Sequence, residues 1–180
     1  TSSCTDALEL SALLTDVGAG DEVIVPAFTF VSSANAFALR GAQIVFADSE
    51  ARTPNIDAAE IARLVTPRTR AIVAVHYAGV CCDMEPILKI ADAAGIPVIE
   101  DAAQALNSTY RGRPAGSFGR FAAFSFHETK NISCGEGGMI VLQDESDFLR
   151  AEIIREKGTN RSAFIRGEID RYGWVAIGSS

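Results

Sequence analysis

The chain has 180 residues, 48% of them hydrophobic, and a formal net charge of −7, which is material for one sizeable core and no more than one domain of ordinary size. The acid excess argues against a nucleic-acid partner, since phosphate backbones need basic surfaces. No apolar run approaches the ~20 residues that span a bilayer, and no basic-then-apolar signal opens the chain, so the sequence reads as soluble and cytoplasmic, with no membrane partner.

In chain order, residues 6–17 carry Ala7, Leu8, Leu10, Leu13, Leu14 and Val17 at helical spacing and stop at Gly18. A strand over 22–25, a helix over 33–39 and a strand over 43–47 follow. The next pair is a helix over 57–65, with Asp57 as N-cap, and a strand over 71–75. A helix over 84–94 with Asp83 as its cap leads to a strand over 97–100. The strands over 121–126 and 139–142 precede a last helix over 146–155. Segments 107–120 and 157–174 read as long loops, which in a compact domain are usually functional or disordered. Apolar strands alternating with helical patterns favour an α/β fold, a three-layer mostly parallel sheet with helices on both faces.

Four cysteines (Cys4, Cys81, Cys82, Cys134) form no CxxC pair and only two histidines are present, which excludes a zinc site and a disulfide scaffold. No metal is expected. A dinucleotide fold is also excluded: its glycine fingerprint follows a strand and opens a helix, whereas Gly18 and Gly20 precede a strand and the cluster over 135–138 leads into one.

The chemistry gathers at two strand ends. Lys130 lies just beyond the apolar strand over 121–126, on a loop bounded by Gly135, Gly137 and Gly138. In open α/β sheets ligands bind at that end. A lysine desolvated there can act as a neutral amine nucleophile able to form a Schiff base. The strand over 97–100 ends in Asp101, and a strand-end Asp together with a strand-end Lys is what a pyridoxal phosphate enzyme requires. Each alone could be an ordinary surface lysine or a helix-capping aspartate.

The wording around them is more specific. Thr1-Ser2-Ser3-Cys4-Thr5, Gly20 through Pro26, Phe28-Thr29-Phe30-Val31, Val75 through Gly79, Ile99 through Gln104 and Ser125 through Gly138 together resemble the DegT/DnrJ/EryC1/StrS nucleotide-sugar aminotransferase family along the whole chain. The segment over 155–161 and the terminal Ile177-Gly178-Ser179-Ser180 resemble the branch that aminates dTDP-4-keto-6-deoxyglucose. The resemblance implies the large domain of a fold-type I, aspartate aminotransferase-like transferase over residues 1–180, a fragment lacking the family's N-terminal segment and smaller C-terminal domain. It implies pyridoxal 5′-phosphate as cofactor, a nucleotide sugar and L-glutamate as substrates, and a homodimer with a shared active site.

By the same resemblance Lys130 carries the cofactor and Asp101 pairs with its pyridine nitrogen. Cys4, Thr5 and Ser125 hold the phosphate, with Ser180 reaching the partner's phosphate. Phe30 stacks on the ring and Gln104 lies near the ring oxygen. Bland alternatives stand beside these roles: helix capping for the segment over 1–5, core packing for Phe30 and a surface amide for Gln104. His127 reads as a structural hydrogen-bonding residue, and His76 as a strand-end residue that lines the crevice. Arg155, Lys157, Arg161 and Arg166 form either a solvated basic face or a counter-charge for a pyrophosphate. Rival functions are a related aminotransferase acting on another keto sugar or an inosose, and a non-catalytic fragment or sensor that keeps the pocket.

Overall fold

Along each central strand, successive side chains feed opposite cores, and this sets the layers. The computed structural model describes residues 1–179. It runs α1 (Cys4–Leu14), β1 (Glu22–Pro26), α2 (Ser32–Ala38), β2 (Gln43–Ala47), α3 (Ala58–Leu64), β3 (Thr69–Val75), α4 (Met84–Ala94), β4 (Val98–Asp101), β5 (Thr109–Tyr110), β6 (Arg113–Pro114), β7 (Phe121–Ser125), β8 (Gly138–Leu142), α5 (Phe148–Arg155) and α6 (Arg161–Ile165). Ile24, Ile72 and Val98 face Ile61 of α3 and Met84 and Ile87 of α4. Val25, Val73 and Ile99 face the opposite way, toward Leu8 of α1, Phe37 of α2 and Ile154 of α5. Each fully buried aliphatic side chain contributes about 1.5–3 kcal/mol, so both faces of the sheet must be covered, giving the expected three layers.

The sheet order is β2-β1-β3-β4-β7-β8. The β1–β2, β1–β3, β3–β4 and β4–β7 pairs are parallel, whereas β8 returns antiparallel to β7. Segment 126–137 is too short and irregular to supply a helical crossover, so the chain doubles straight back. The strand order reverses between β1 and β3, and a crevice opens outside the carboxyl ends of the strands at such a switch point.

Several local expectations shift. The first helix occupies Cys4–Leu14, earlier than the apolar pattern suggests, because the Ser3 side chain caps it by accepting from the Asp6 N–H. It ends before Gly18 because Asp16 takes a left-handed conformation (φ 54°) and the Thr15 hydroxyl turns back to the Ser11 carbonyl at 2.8 Å. Asp57 caps α3 as expected, but Asp83 makes no cap bond to α4. Its carboxylate instead accepts the Tyr110 hydroxyl. The segment over 107–120 holds the small β5–β6 hairpin, and that over 157–174 holds α6. Among the described residues no helix is long and apolar enough to cross a membrane.

Candidate active site

A cavity of about 440 Å³ opens at the carboxyl ends of β1, β3, β4 and β7. Its walls include Lys130, Asp101, Phe30, Gln104 and Ser125, with Cys4 and Thr5 of α1 closing one side. The structure therefore brings together every described residue that the sequence singles out for a cofactor. Ser180 lies outside the described residues.

Lys130 is half-buried on the turn after β7, where its N–H donates to the His127 carbonyl at 2.9 Å. The turn is held internally: His127 Nδ1 accepts the Thr129 N–H at 3.2 Å and lies 2.9 Å from the Thr129 hydroxyl, the structural role expected of it. Asp101, only 5% exposed, accepts the Ser33 hydroxyl at 2.6 Å and the Ala103 N–H at 3.1 Å. Burial pushes the Asp101 carboxyl above its ordinary range, against the opposing pull of those two hydrogen bonds and of the nearby Lys130 charge. A carboxyl so placed is short of positive charge and suits a cationic partner entering the cavity.

The first turn of α1 supplies the opposite polarity. Ser3 Oγ takes the Asp6 N–H at 3.1 Å and the Ser3 carbonyl takes the Ala7 N–H. The N–H groups of Cys4 and Thr5 have no acceptor within their own helix, and with the dipole they favour an anion. Thr5 Oγ1 lies 2.8 Å from Ser32 Oγ, and Ser125 Oγ accepts the His127 N–H at 3.3 Å, so both hydroxyls are fixed at the cavity wall. Gly138, at the start of β8, abuts this turn: it exchanges two backbone hydrogen bonds with Thr1, at 3.0 and 3.1 Å. A methyl group at Gly138 would overlap the Ser3 carbonyl and the Cys4 amide.

Two further walls matter. Phe30 is 71% exposed on the cavity rim, so it is no core phenylalanine. Gln104 Oε1 accepts the Ala78 N–H at 2.6 Å, which commits the amide oxygen to the protein and leaves the NH₂ as its remaining hydrogen-bonding group. Cys4, the thiol on the cavity wall, offers no competing nucleophile, because burial raises it well above the ordinary thiol range. Among the described residues no group of His, Cys, Asp and Glu could hold a metal.

Some of the site was not foreseen. Glu100, beside Asp101 but on the other sheet face, is 0% exposed. It accepts the Gly116, Phe118 and Gly119 N–H groups at 2.7, 2.7 and 2.6 Å and lies 2.9 Å from His76 Nε2. Because His76 Nδ1 accepts the Cys82 N–H at 3.1 Å, the neutral ring carries its proton on Nε2 and donates it to Glu100. Burial raises the Glu100 carboxyl, but the bonds from His76 and from the Gly119 and Gly116 N–H groups outweigh it and hold it below its ordinary value. The basic cluster does not reach the cavity: Arg155 pairs with Glu156, and Arg166 with Glu152 and Glu168.

The cavity at the switch point of a mostly parallel, helix-covered sheet defines a ligand-binding α/β domain, with a lysine and a buried acid where cofactor chemistry is done. The chain belongs to the DegT/DnrJ/EryC1/StrS aminotransferase family, which it matches over residues 1–176. It is 47% identical over 154 residues to the GDP-perosamine synthase of Caulobacter vibrioides, covering 86% of this chain and 42% of that protein. To the spore coat polysaccharide biosynthesis protein SpsC of Bacillus subtilis it is 44% identical over 164 residues, covering 91% and 42%. The chain thus spans less than half the length of these relatives. The putative sugar aminotransferase Spr1654 of Streptococcus pneumoniae, solved in its PLP-form, superposes with a TM-score of 0.87 at 30% identity, over 99% of this chain and 49% of that one. The same protein is also known in a PMP-form. Members of the family are pyridoxal phosphate-dependent aminotransferases.

Proposed function

We propose that this chain is the cofactor-binding large domain of an aminotransferase that moves an amine from L-glutamate to a 4-keto-6-deoxy nucleotide sugar, acting as a homodimer with a shared site. What carries this reading is the convergence of Lys130, Asp101 and the first turn of α1 on one cavity. The residues fit pyridoxal phosphate, since a primary amine, a carboxyl made short of cations by burial and a fixed set of N–H and hydroxyl donors match its carbonyl, ring nitrogen and phosphate. Bound there, the cofactor would supply the carbonyl that exchanges amines and a ring that withdraws electrons from the carbon being deprotonated.

The chain's own groups divide the remaining work. The Lys130 amine would hold the cofactor and, when free, would be the group placed to move a proton. Asp101 would pair with the ring nitrogen and favour its protonated form. The Cys4 and Thr5 N–H groups, with the Thr5 and Ser125 hydroxyls, bind phosphate. The Gln104 NH₂ donates toward the ring oxygen, and Phe30 covers the ring face, where stacking contributes about 0.5–1.5 kcal/mol. Ser180 completes the partner's phosphate site.

For the acceptor, dTDP-4-keto-6-deoxyglucose is the reading that segment 155–161 favours. A GDP-linked sugar is the second, favoured by the likeness to GDP-perosamine synthase. Borohydride reduction with pyridoxal phosphate, then peptide mapping, tests the site: label is expected on Lys130. Label on Lys89 or Lys157, the other two lysines, overturns it. L-Glutamate should bleach the visible band of the bound cofactor, and adding the dTDP- or GDP-linked keto sugar should restore it for the true acceptor only. An unchanged band with glutamate refutes transamination.

A further inference from the structure

Two buried hydroxyls of this chain serve their own helix. Ser11 Oγ donates to the Ala7 carbonyl at 2.9 Å, and Thr15 Oγ1 to the Ser11 carbonyl at 2.8 Å. Ser33 behaves differently. It is 0% exposed in the first turn of α2, and its hydroxyl crosses to Asp101 Oδ2, 68 positions along the chain, at 2.6 Å. A hydroxyl has one proton, and Ser33 spends it on the carboxylate. The 2.7 Å contact between Thr29 Oγ1 and Ser33 Oγ therefore has Thr29 as its donor. The direction is fixed: Thr29 donates to Ser33, and Ser33 to Asp101. Hydrogen bonds in such a chain polarise and strengthen one another.

Thr29 sits on the cavity wall beside Phe30, whereas Ser33 lies behind Asp101 and does not reach the cavity. The same segment, 28–33, is tied at Ser32 to Thr5 of α1. One short stretch thus links the rim aromatic, the anion-binding turn and the buried acid. With Ser33 on Oδ2 and the Ala103 N–H on Oδ1, each carboxylate oxygen has one fixed partner. That sets the plane of the carboxyl group and leaves its other lone pairs for a ligand.

We propose that Ser33, backed by Thr29, is a positioning residue that orients and ionises Asp101 for a cationic ring nitrogen. This rests on the functional reading above. Without Ser33, Asp101 would retain one protein hydrogen bond against full burial. Of the influences that favour its ionised form, the Ser33 bond is the largest, ahead of the Ala103 N–H and Lys130 beyond β7, while His76 at the end of β3 gives its proton to Glu100. Cys4 of α1 also faces Asp101 and adds no positive charge.

The test uses Ser33→Ala, Ser33→Thr and Thr29→Val with two readouts. In the cofactor-free protein, an NMR titration of the Asp101 carboxyl carbon should move upward by about one pH unit in Ser33→Ala, equivalent to about tenfold weaker ionisation. With pyridoxal phosphate, the same variant should bind about tenfold more weakly, and the pH midpoint of the visible band should shift. Ser33→Thr restores the hydroxyl and should return both values toward wild type. Thr29→Val, which leaves Asp101 and Ser33 in place, should move both in the same direction by less. If Ser33→Ala titrates and binds like wild type while borohydride still fixes label on Lys130, the proposal is overturned and the functional reading stands. If the wild type takes no label on Lys130, the reading fails and the proposal with it.

Discussion

Replacing Glu100 by glutamine tests the buried carboxylate that the sequence left without a task. The two side chains are nearly isosteric, so packing is preserved and only the acceptor count changes. Oε1 accepts from the Phe118 and Gly119 N–H groups, and Oε2 from Gly116 N–H and His76. Whichever way the amide is placed, its NH₂ faces two donors, so two hydrogen bonds are lost and two N–H groups stay buried unpaired. Hydrogen bonds to a charged acceptor contribute roughly 1.5–3 kcal/mol each, giving an expected loss of about 3–6 kcal/mol, a large part of the roughly 5–15 kcal/mol that holds a domain together. The folded-state carboxyl lies below its ordinary value of 4.5. Its contribution is therefore complete above pH 4.5 and is lost as pH falls through the lower folded value. Urea denaturation followed by circular dichroism, at pH 7 and at steps down to pH 3, measures the gap between the two proteins. A gap under about 1 kcal/mol at pH 7, or one that does not narrow toward pH 3, would refute the assignment of Glu100 as an ionised anchor of the segment over 116–119.

Asp101→Asn should keep the cofactor but lose most turnover, because an amide cannot stabilise a protonated ring nitrogen. The raised Asp101 carboxyl makes the cofactor-free wild type lose stability as pH rises through the folded value. Thermal unfolding at pH 4 and pH 8 should accordingly shift in favour of the asparagine variant at the higher pH, and a pH-independent difference would contradict the burial argument. Gln104→Leu leaves the Ala78 N–H, in a residue held at φ 52°, without its acceptor. A cost of about 1 kcal/mol in urea midpoint analysis and weaker cofactor binding are expected, and unchanged binding would remove Gln104 from the site. Gly138→Ala should destabilise by about 3 kcal/mol and release the cofactor, since the new methyl group meets main chain that cannot swing aside. A variant as stable as wild type would mean that β8 can slide along β7.

The sequence was most legible where one rule acts alone. The strands at 22, 43, 98, 121 and 138 start within one residue of the positions their apolar runs mark, and those at 22, 98 and 121 are buried along their whole length, so nothing competes for their apolar side chains. Lys130 and Asp101 stood out because charge at a strand end is costly unless used. Less legible was whatever depended on a partner distant in sequence. Asp83 has the composition of a helix cap, yet Tyr110 claims its side chain. The direction of β8 follows from the shape of the turn before it. Glu100 reads as one more acid beside Asp101 until the sheet alternation turns it toward Gly116 and Gly119. Ser33 looks like a helix-opening serine, and only the folded contact with Asp101, 68 positions away, reveals its carboxylate.

Thr1 and Gly138, paired across 137 positions, also govern when the cavity can exist. A chain grows by about 5–20 residues per second, so β4 leaves the ribosome roughly 2–7 seconds before Gly138, and α1 and β1 through β3 earlier still. During that interval β4 is an open strand edge, a template for pairing with a neighbouring chain. Arrival of β7 covers that edge, and arrival of β8 brings the amine-bearing turn against α1. A ligand that needs both walls binds only chains in which β8 has docked and stabilises them by mass action. Pyridoxal phosphate supplied during synthesis would therefore favour chains that have passed β8 over those stalled before it, and its scarcity would appear first as aggregated protein.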